Sequence, residues 1–270
     1  MSKRKANIAD DLLLNKVVLR PEREHARFPE MLGRSFESFT ACSTANGQLV
    51  VGWYFPADKT SAPLALLNSS NRGTKADALD HAALLLACGC GVLLYDYQGF
   101  GDSAGLADVR TLVGDAEGVL NWAAQRAIWS PQQPLILVGL SLGSLVAVHL
   151  AAGRLQTVRA LVLDGAIEPF RVLRRSFGPL GAAMAEVACL QVPDELNSEK
   201  QIPSVASPVL FIHGRNDSIS PPADLEHLAR RATHPTLWVL DDCDHLDIIV
   251  RHPQEYQQRL CLFLEQSAVR

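Results

Sequence analysis

Gly139-Leu140-Ser141-Leu142-Gly143 is a G-x-S-x-G lying between a β-branched apolar run and an Ala/Leu/Val-rich run. A serine on so tight a strand-to-helix turn is held in a strained conformation, and the flanking glycines remove side chains that would collide across it. Its hydroxyl is then offered at the carboxyl end of a strand, where open α/β sheets place ligands. Serine is a weak nucleophile until a base takes its proton, and that base must be oriented by a third group. Downstream, HGRND carries Asp217 just past the apolar run Val209 to Ile212, and DDCDHLD carries His245 just past Leu237 to Leu240. Ser141, His245 and Asp217 are therefore the candidate nucleophile, base and orienting acid. An oxyanion needs donors fixed in advance. The backbone N–H of Leu142 is one candidate, and the turn Asn68-Ser69-Ser70-Asn71 offers the other through Ser70 or Ser69.

These residues need strands to carry them. Ser35 to Thr44 alternates, Asn46-Gly47 marks a tight turn, and the run 48–55 supplies a second strand, so a hairpin is predicted. Strands are then predicted at Leu64 to Leu67, Val92 to Tyr97, Leu135 to Leu140, Ala160 to Leu163, Val209 to Ile212 and Leu237 to Leu240. Helical runs at 76–87, 109–127, 142–152, 224–231 and 254–266 fall between and after them. Continuous apolar strands alternating with helices describe a mainly parallel sheet covered on both faces. Pro134 to Gly153 has no acid, Lys or Arg, but its glycines and serines divide it into a buried strand and a buried helix rather than a membrane span.

The 270 residues are 48% hydrophobic and 20% charged, with 25 basic against 29 acidic side chains and a formal net charge of −4. Such a composition excludes a disordered or collagen-like chain, and the near-neutral balance argues against nucleic acid as a partner. Six cysteines, at 42, 88, 90, 189, 243 and 261, show no C-x-x-C pairing. Most lie in apolar surroundings, so reduced, packed thiols in a cytosolic protein are expected. The basic start, Lys3-Arg4-Lys5, is followed by Asp10 and Asp11 rather than an apolar h-region, which again predicts a cytoplasmic protein without a transmembrane segment. Residues 1–33 read as an N-terminal extension, either lying on the domain or mobile, and the oligomeric state is left open.

Together these features resemble an α/β-hydrolase of the serine-nucleophile kind over about residues 35 to 265: GLSLG, the run YDYQGFGDSAG, HGRND and the late His245. YDYQGFGDS is similar to the family's D-x-R-G-x-G-x-S loop, with Asp96, Gly99, Gly101 and Ser103 matching and Gln98 in place of Arg. In the family this loop packs beside the active site and is usually structural. The chain departs from the family at two points. Asn68-Ser69 stands where many relatives have His-Gly, and Asp244 precedes the histidine where glycine is common, placing a negative charge close to His245. The resemblance implies an α/β fold with a mainly parallel eight-stranded sheet, helices on both faces and a short helical lid, here within about 167–204 of a domain spanning 34–270.

The activity expected is that of a serine hydrolase, a carboxylesterase acting on a small-molecule ester or acyl substrate. A thioesterase or small peptidase would use the same machinery, and a catalytically silent binding protein could keep the fold. Neither a cofactor nor a metal is implied: Asp96, Asp102 and Asp108 follow loop and cap logic better than metal-ligand logic. Cys243, two residues from His245, is the alternative nucleophile, but nothing would hold it on a strained elbow. In the insertion, Phe170, Leu173, Phe177, Leu180, Met184 and Val187 recur at intervals of three and four, predicting one buried apolar stripe interrupted at Gly178-Pro179. Phe177 and Met184 are the predicted substrate-contacting residues on it.

Overall fold

The computed structural model describes residues 15–153 and 157–268. Residues 1–14 of the expected N-terminal extension, including the basic cluster, lie outside the described residues.

Apolar runs with few charges become central strands because a residue on either face of the sheet meets a helix. Eight strands form one sheet: β1 Glu37–Cys42, β2 Leu49–Phe55, β3 Leu64–Asn68, β4 Gly91–Tyr95, β5 Leu135–Leu140, β6 Val158–Asp164, β7 Val209–Gly214 and β8 Pro235–Leu240. Their order is β8-β7-β6-β5-β3-β4-β2-β1, with β2 antiparallel to β1 and β4 and every other adjacent pair parallel. The hairpin turns at Gly47, whose φ of +76° suits glycine.

The two-residue side-chain period divides the core. Leu64, Leu66, Leu135, Leu137, Leu161, Leu163, Val209 and Phe211 face one helical layer, while Ala65, Leu67, Ile136, Val138, Ala160, Val162, Leu210 and Ile212 face the other. The first layer holds α2 (Leu112–Gln125) and α3 (Gly143–Ala151), and the second holds α1 (Leu79–Ala87). Between β6 and β7 the chain forms α4 (Pro169–Phe177), α5 (Ala182–Gln191) and α6 (Ser198–Gln201). After β7 come α7 (Pro222–Arg231), on the first layer, and then α8 (Ile248–Arg251) and α9 (Pro253–Gln266), on the second. Among the described residues no helix is long and apolar enough to cross a membrane.

Two expectations are corrected. Cys88, capping α1, is disulfide-bonded to Cys261 on α9, so these two cysteines are not the free thiols expected. The apolar surroundings seen in sequence are the shared surface of two helices packed side by side, which is what brings the two sulfurs together. The stripe through 167–204 also fails as a single buried face: Leu173 is buried, whereas Leu180, Met184 and Val187 are exposed. Gly178, at φ +60°, and the 3-10 turn Pro179–Gly181 reset the helical phase, so α5 buries Ala185, Ala188 and Cys189 instead. Within the expected N-terminal extension, residues 15–32 lie on the domain, with Leu19 only 3% exposed and Arg20–Pro21 pairing in parallel with Arg72–Gly73.

Candidate active site

Ser141 follows β5 with φ +51°, the left-handed region that an L side chain enters only under constraint. Its N–H donates to the Asp164 carbonyl at 2.9 Å, and its own carbonyl accepts the Ser144 N–H at 2.9 Å. A Cβ at Gly139 would stand 2.5 Å from Ser144 Cα, and one at Gly143 would stand 2.1 Å from the Asn68 carbonyl oxygen. The two glycines thus let the elbow close on itself and approach the turn after β3.

That turn is fixed from several sides. Asn68 is buried, donating through Nδ2 to the Val138 carbonyl at 3.0 Å and accepting the Tyr95 hydroxyl on Oδ1 at 2.8 Å. The Tyr97 hydroxyl donates to Ser69 O at 3.4 Å, and Ser70 Oγ donates to Arg72 O at 3.2 Å. The Asn68 side chain thus ties the turn to β5 and β4.

His245 lies on the loop after β8. Its Nδ1 is 2.7 Å from Asp217 Oδ2, and its Nε2 is 2.8 Å from Ser141 Oγ. Asp217 Oδ1 accepts the N–H groups of Ile219 and Ser220 at 2.9 and 2.7 Å, so the carboxylate is bound by donors on both oxygens. A carboxylate accepts, hence the His245 proton sits on Nδ1 and Nε2 is the free acceptor for the Ser141 hydroxyl. His213, fully buried on β7, donates through Nε2 to the Ser220 carbonyl at 2.6 Å and pins the loop that carries Asp217.

The neighbouring acids are otherwise engaged. Asp244 Oδ1 accepts the backbone N–H groups of Ser218 and His245 at 3.0 and 2.7 Å, and these bonds hold its carboxyl below the usual carboxylate range. Its charge stabilises the loop rather than bonding the imidazole. Asp247 Oδ1 accepts the Asp244 N–H at 2.9 Å, Asp241 pairs with Arg215, and Asp242 pairs with Arg251 at 2.9 Å. Cys243 is buried, and desolvation pushes its thiol up to about 12, so it is protonated beside the site.

Sequence reasoning missed Gly165 and Glu168. Gly165 has φ +59°, and a Cβ there would stand 2.9 Å from His245 Cε1, so the imidazole lies on bare backbone. Glu168 caps α4, accepting the N–H groups of Phe170 and Arg171, while burial pushes its carboxyl above the usual range. The glycine directly after β6 was a readable signal; the cap was hidden by Pro169. Phe177 and Met184 do not line the apolar cavity beside Leu142: Phe177 is half-buried at the end of α4, and Met184 is on the exposed face of α5.

The D-x-R-G-like loop forms a separate cluster. Asp96 Oδ2 accepts Lys75 Nζ at 2.6 Å, and Asp102 Oδ2 accepts it at 2.8 Å, so an ammonium occupies the place between these two acids. Gln98, standing for Arg, donates through Nε2 to Asp115 Oδ1 at 2.6 Å. Asp108 accepts the Arg110 N–H at 2.9 Å.

The family model described as serine aminopeptidase, S33, matches residues 73–194. An uncharacterized protein of Mycobacterium tuberculosis is 32% identical over 207 residues, covering 73% of this chain and 68% of that one. The lysophosphatidylserine lipase ABHD12 of Danio rerio is 27% identical over 186 residues, covering 63% of this chain and 47% of the lipase. An esterase of Pyrococcus furiosus superposes with a TM-score of 0.76 at 18% identity, covering 92% of this chain and 98% of the esterase. Sequence relatives and fold agree, and the chain belongs to the α/β-hydrolase superfamily.

Proposed function

We propose that this α/β hydrolase cleaves a carboxylic ester through an acyl-enzyme. The observation that carries the reading is the unbroken chain from Ser141 Oγ through His245 to Asp217, at 2.8 and 2.7 Å, built on an elbow whose φ is positive. As Ser141 Oγ attacks the ester carbonyl, its proton passes to His245 Nε2, and Asp217 stabilises the imidazolium. The oxyanion is received by the Leu142 N–H and by an N–H of Ser69 or Ser70. Collapse breaks the carbon–oxygen bond to the alcohol, which leaves with the proton from His245. Water then attacks the acyl-enzyme, gives its proton to His245 Nε2, and the carboxylic acid leaves as that proton returns to Ser141 Oγ.

The family model's description favours a second reading, a small peptidase using the same residues. A thioesterase or a silent binding protein are the remaining alternatives. Fluorophosphonate labelling, compared between the natural chain and Ser141→Ala, tests the nucleophile; hydrolysis of p-nitrophenyl esters against aminoacyl anilides and acyl thioesters separates the leaving groups. Labelling abolished by the substitution, with esters preferred, is the expected result. Labelling that persists in Ser141→Ala would overturn the assignment. As to location, the Cys88–Cys261 disulfide weighs against the reducing cytoplasm that the free-thiol reading implied.

A further inference from the structure

We infer that the segment 15–21 contributes to the acyl site: its Val18 lines the pocket that takes a short unbranched acyl chain, and its backbone braces the turn that completes the oxyanion donors. This inference rests on the ester-hydrolase reading of Ser141.

A cavity of about 50 Å³ opens beside Leu142, and its walls are almost wholly apolar. Leu142, one of its lining residues, directly follows Ser141 in the chain. Leu145 lines it from α3, Val172, Leu173 and Leu196 from the insertion between β6 and β7, Val109 from the segment before α2, and Val18 from the N-terminal segment. With about 10–15 Å³ needed for one water-sized group, the space takes roughly four methylene-sized groups and offers no partner to a charged or peptide-like one. An acyl group near butyryl length fits that description.

Val18 is held there by hydrogen bonds to the turn after β3. Arg20 N–H donates to the Asn71 carbonyl at 2.7 Å, and Asn71 Nδ2 returns a bond to the Val18 carbonyl at 2.6 Å. Asn15 Oδ1 accepts the Val109 N–H at 3.1 Å, and Leu19 is buried. The same reciprocal pair that sets Val18 in the pocket wall therefore fixes Asn71, next to the candidate donors Ser69 and Ser70. Acyl pocket and oxyanion turn share one brace.

The test measures p-nitrophenyl acetate, butyrate, hexanoate and octanoate turnover, together with fluorophosphonate labelling, in the full chain and in Val18→Phe, Val18→Ala and Asn71→Ala. The natural chain is expected to prefer butyrate to octanoate at least tenfold. Val18→Phe fills the cavity, so kcat/KM for butyrate falls at least ten times further than for acetate, within the 10–200-fold that one methylene of pocket contact commands. Val18→Ala enlarges it, so the hexanoate-to-butyrate ratio rises several-fold, a gain that misfolding cannot produce. Asn71→Ala lowers kcat at least fivefold on every ester, with KM unchanged, and slows labelling in proportion. Normal labelling with an unaltered chain-length profile in both Val18 variants would overturn the inference and leave the ester-hydrolase reading standing. Absence of labelling and of ester turnover in the natural chain would instead remove that reading and this inference with it.

Discussion

Two histidines in this fold have nearly the same surroundings. The His25 side chain is 10% exposed, with Asp102 at 2.8 Å from one ring nitrogen and the Thr74 hydroxyl at 2.9 Å from the other. The His245 side chain is 11% exposed, with Asp217 at 2.7 Å and the Ser141 hydroxyl at 2.8 Å. Hydroxyl, imidazole and carboxylate in a row therefore do not define a nucleophilic site. Around His25 every group is already spent. Thr74 Oγ1 caps a 3-10 turn from an extended backbone, φ −134°, and Lys75 Nζ lies 3.2 Å from the imidazole while neutralising Asp96 and Asp102. Trp53 covers that ammonium, 4.4 Å from ring centroid to Nζ. Around His245 there is no lysine among these contacts, the carboxylate is oriented by backbone N–H groups, and the hydroxyl stands on a strained turn. Strain and an unneutralised acid distinguish a reactive row from a structural one.

The largest expected effect breaks that likeness directly. Asp217→Asn should lower kcat by about 10⁴ while the chain stays folded, because the amide no longer fixes the tautomer that leaves Nε2 free. Asp102→Asn should leave turnover within a few-fold. Steady-state kinetics on one ester decides it; comparable losses in both variants would mean that the His25 row takes part in the chemistry.

Stability should show the reverse ranking. Lys75 is fully buried against the equally buried Asp96, so Lys75→Met strands a carboxylate without its counter-charge. Breaking a buried pair in this way costs about 3–5 kcal/mol. Denaturant unfolding should register that loss, and fluorophosphonate labelling of the folded fraction should be retained.

Much of the frame that separates these two rows is readable from residue order alone. Strand runs of four to six apolar residues, the glycines of the elbow, and Asp217 and His245 just past their strands all follow from local rules of chain geometry. The N-terminal segment was not readable. Val18 and Leu19 sit in a charged stretch with Pro21 and Pro29, and only tertiary pairing with Asn71 and Arg72 gives them a place. Phe177 and Met184 misled for a related reason, since a helical stripe extrapolated across Gly178-Pro179 loses its phase. Cys88 and Cys261 are 173 residues apart, and no spacing rule joins them.

That disulfide gives a smaller effect, away from both rows. It ties α1 to α9 on the sheet face opposite α3, so it constrains the unfolded chain without touching Ser141. Cys261→Ser should cost about 2–4 kcal/mol. Calorimetry should show the lowered midpoint, roughly 2–4 °C for each kcal/mol in a chain of this size. Kinetics at 25 °C should not change, which separates a frame element from a site element.

The smallest effect concerns how the His25 row is held. Arg27 donates to both oxygens of Asp80 at 2.8 and 2.7 Å, anchoring the segment that carries His25 onto α1. The Arg27 guanidinium holds the Asp80 carboxyl below its ordinary value of 3.8. A carboxyl lowered in the folded state contributes stability above its unfolded value, and that contribution is lost as the pH falls through the folded one. The tie is therefore intact at neutral pH and weakens only below about pH 3.8, with half of the Asp80 side chain in water and the gain correspondingly small. Hydrogen exchange of residues 22–28 should accelerate in that acid window in the natural chain. In Arg27→Ala it should already be fast at pH 7, with ester turnover retained. If the variant instead lost turnover as Asp217→Asn does, the His25 segment would belong to the reactive row after all.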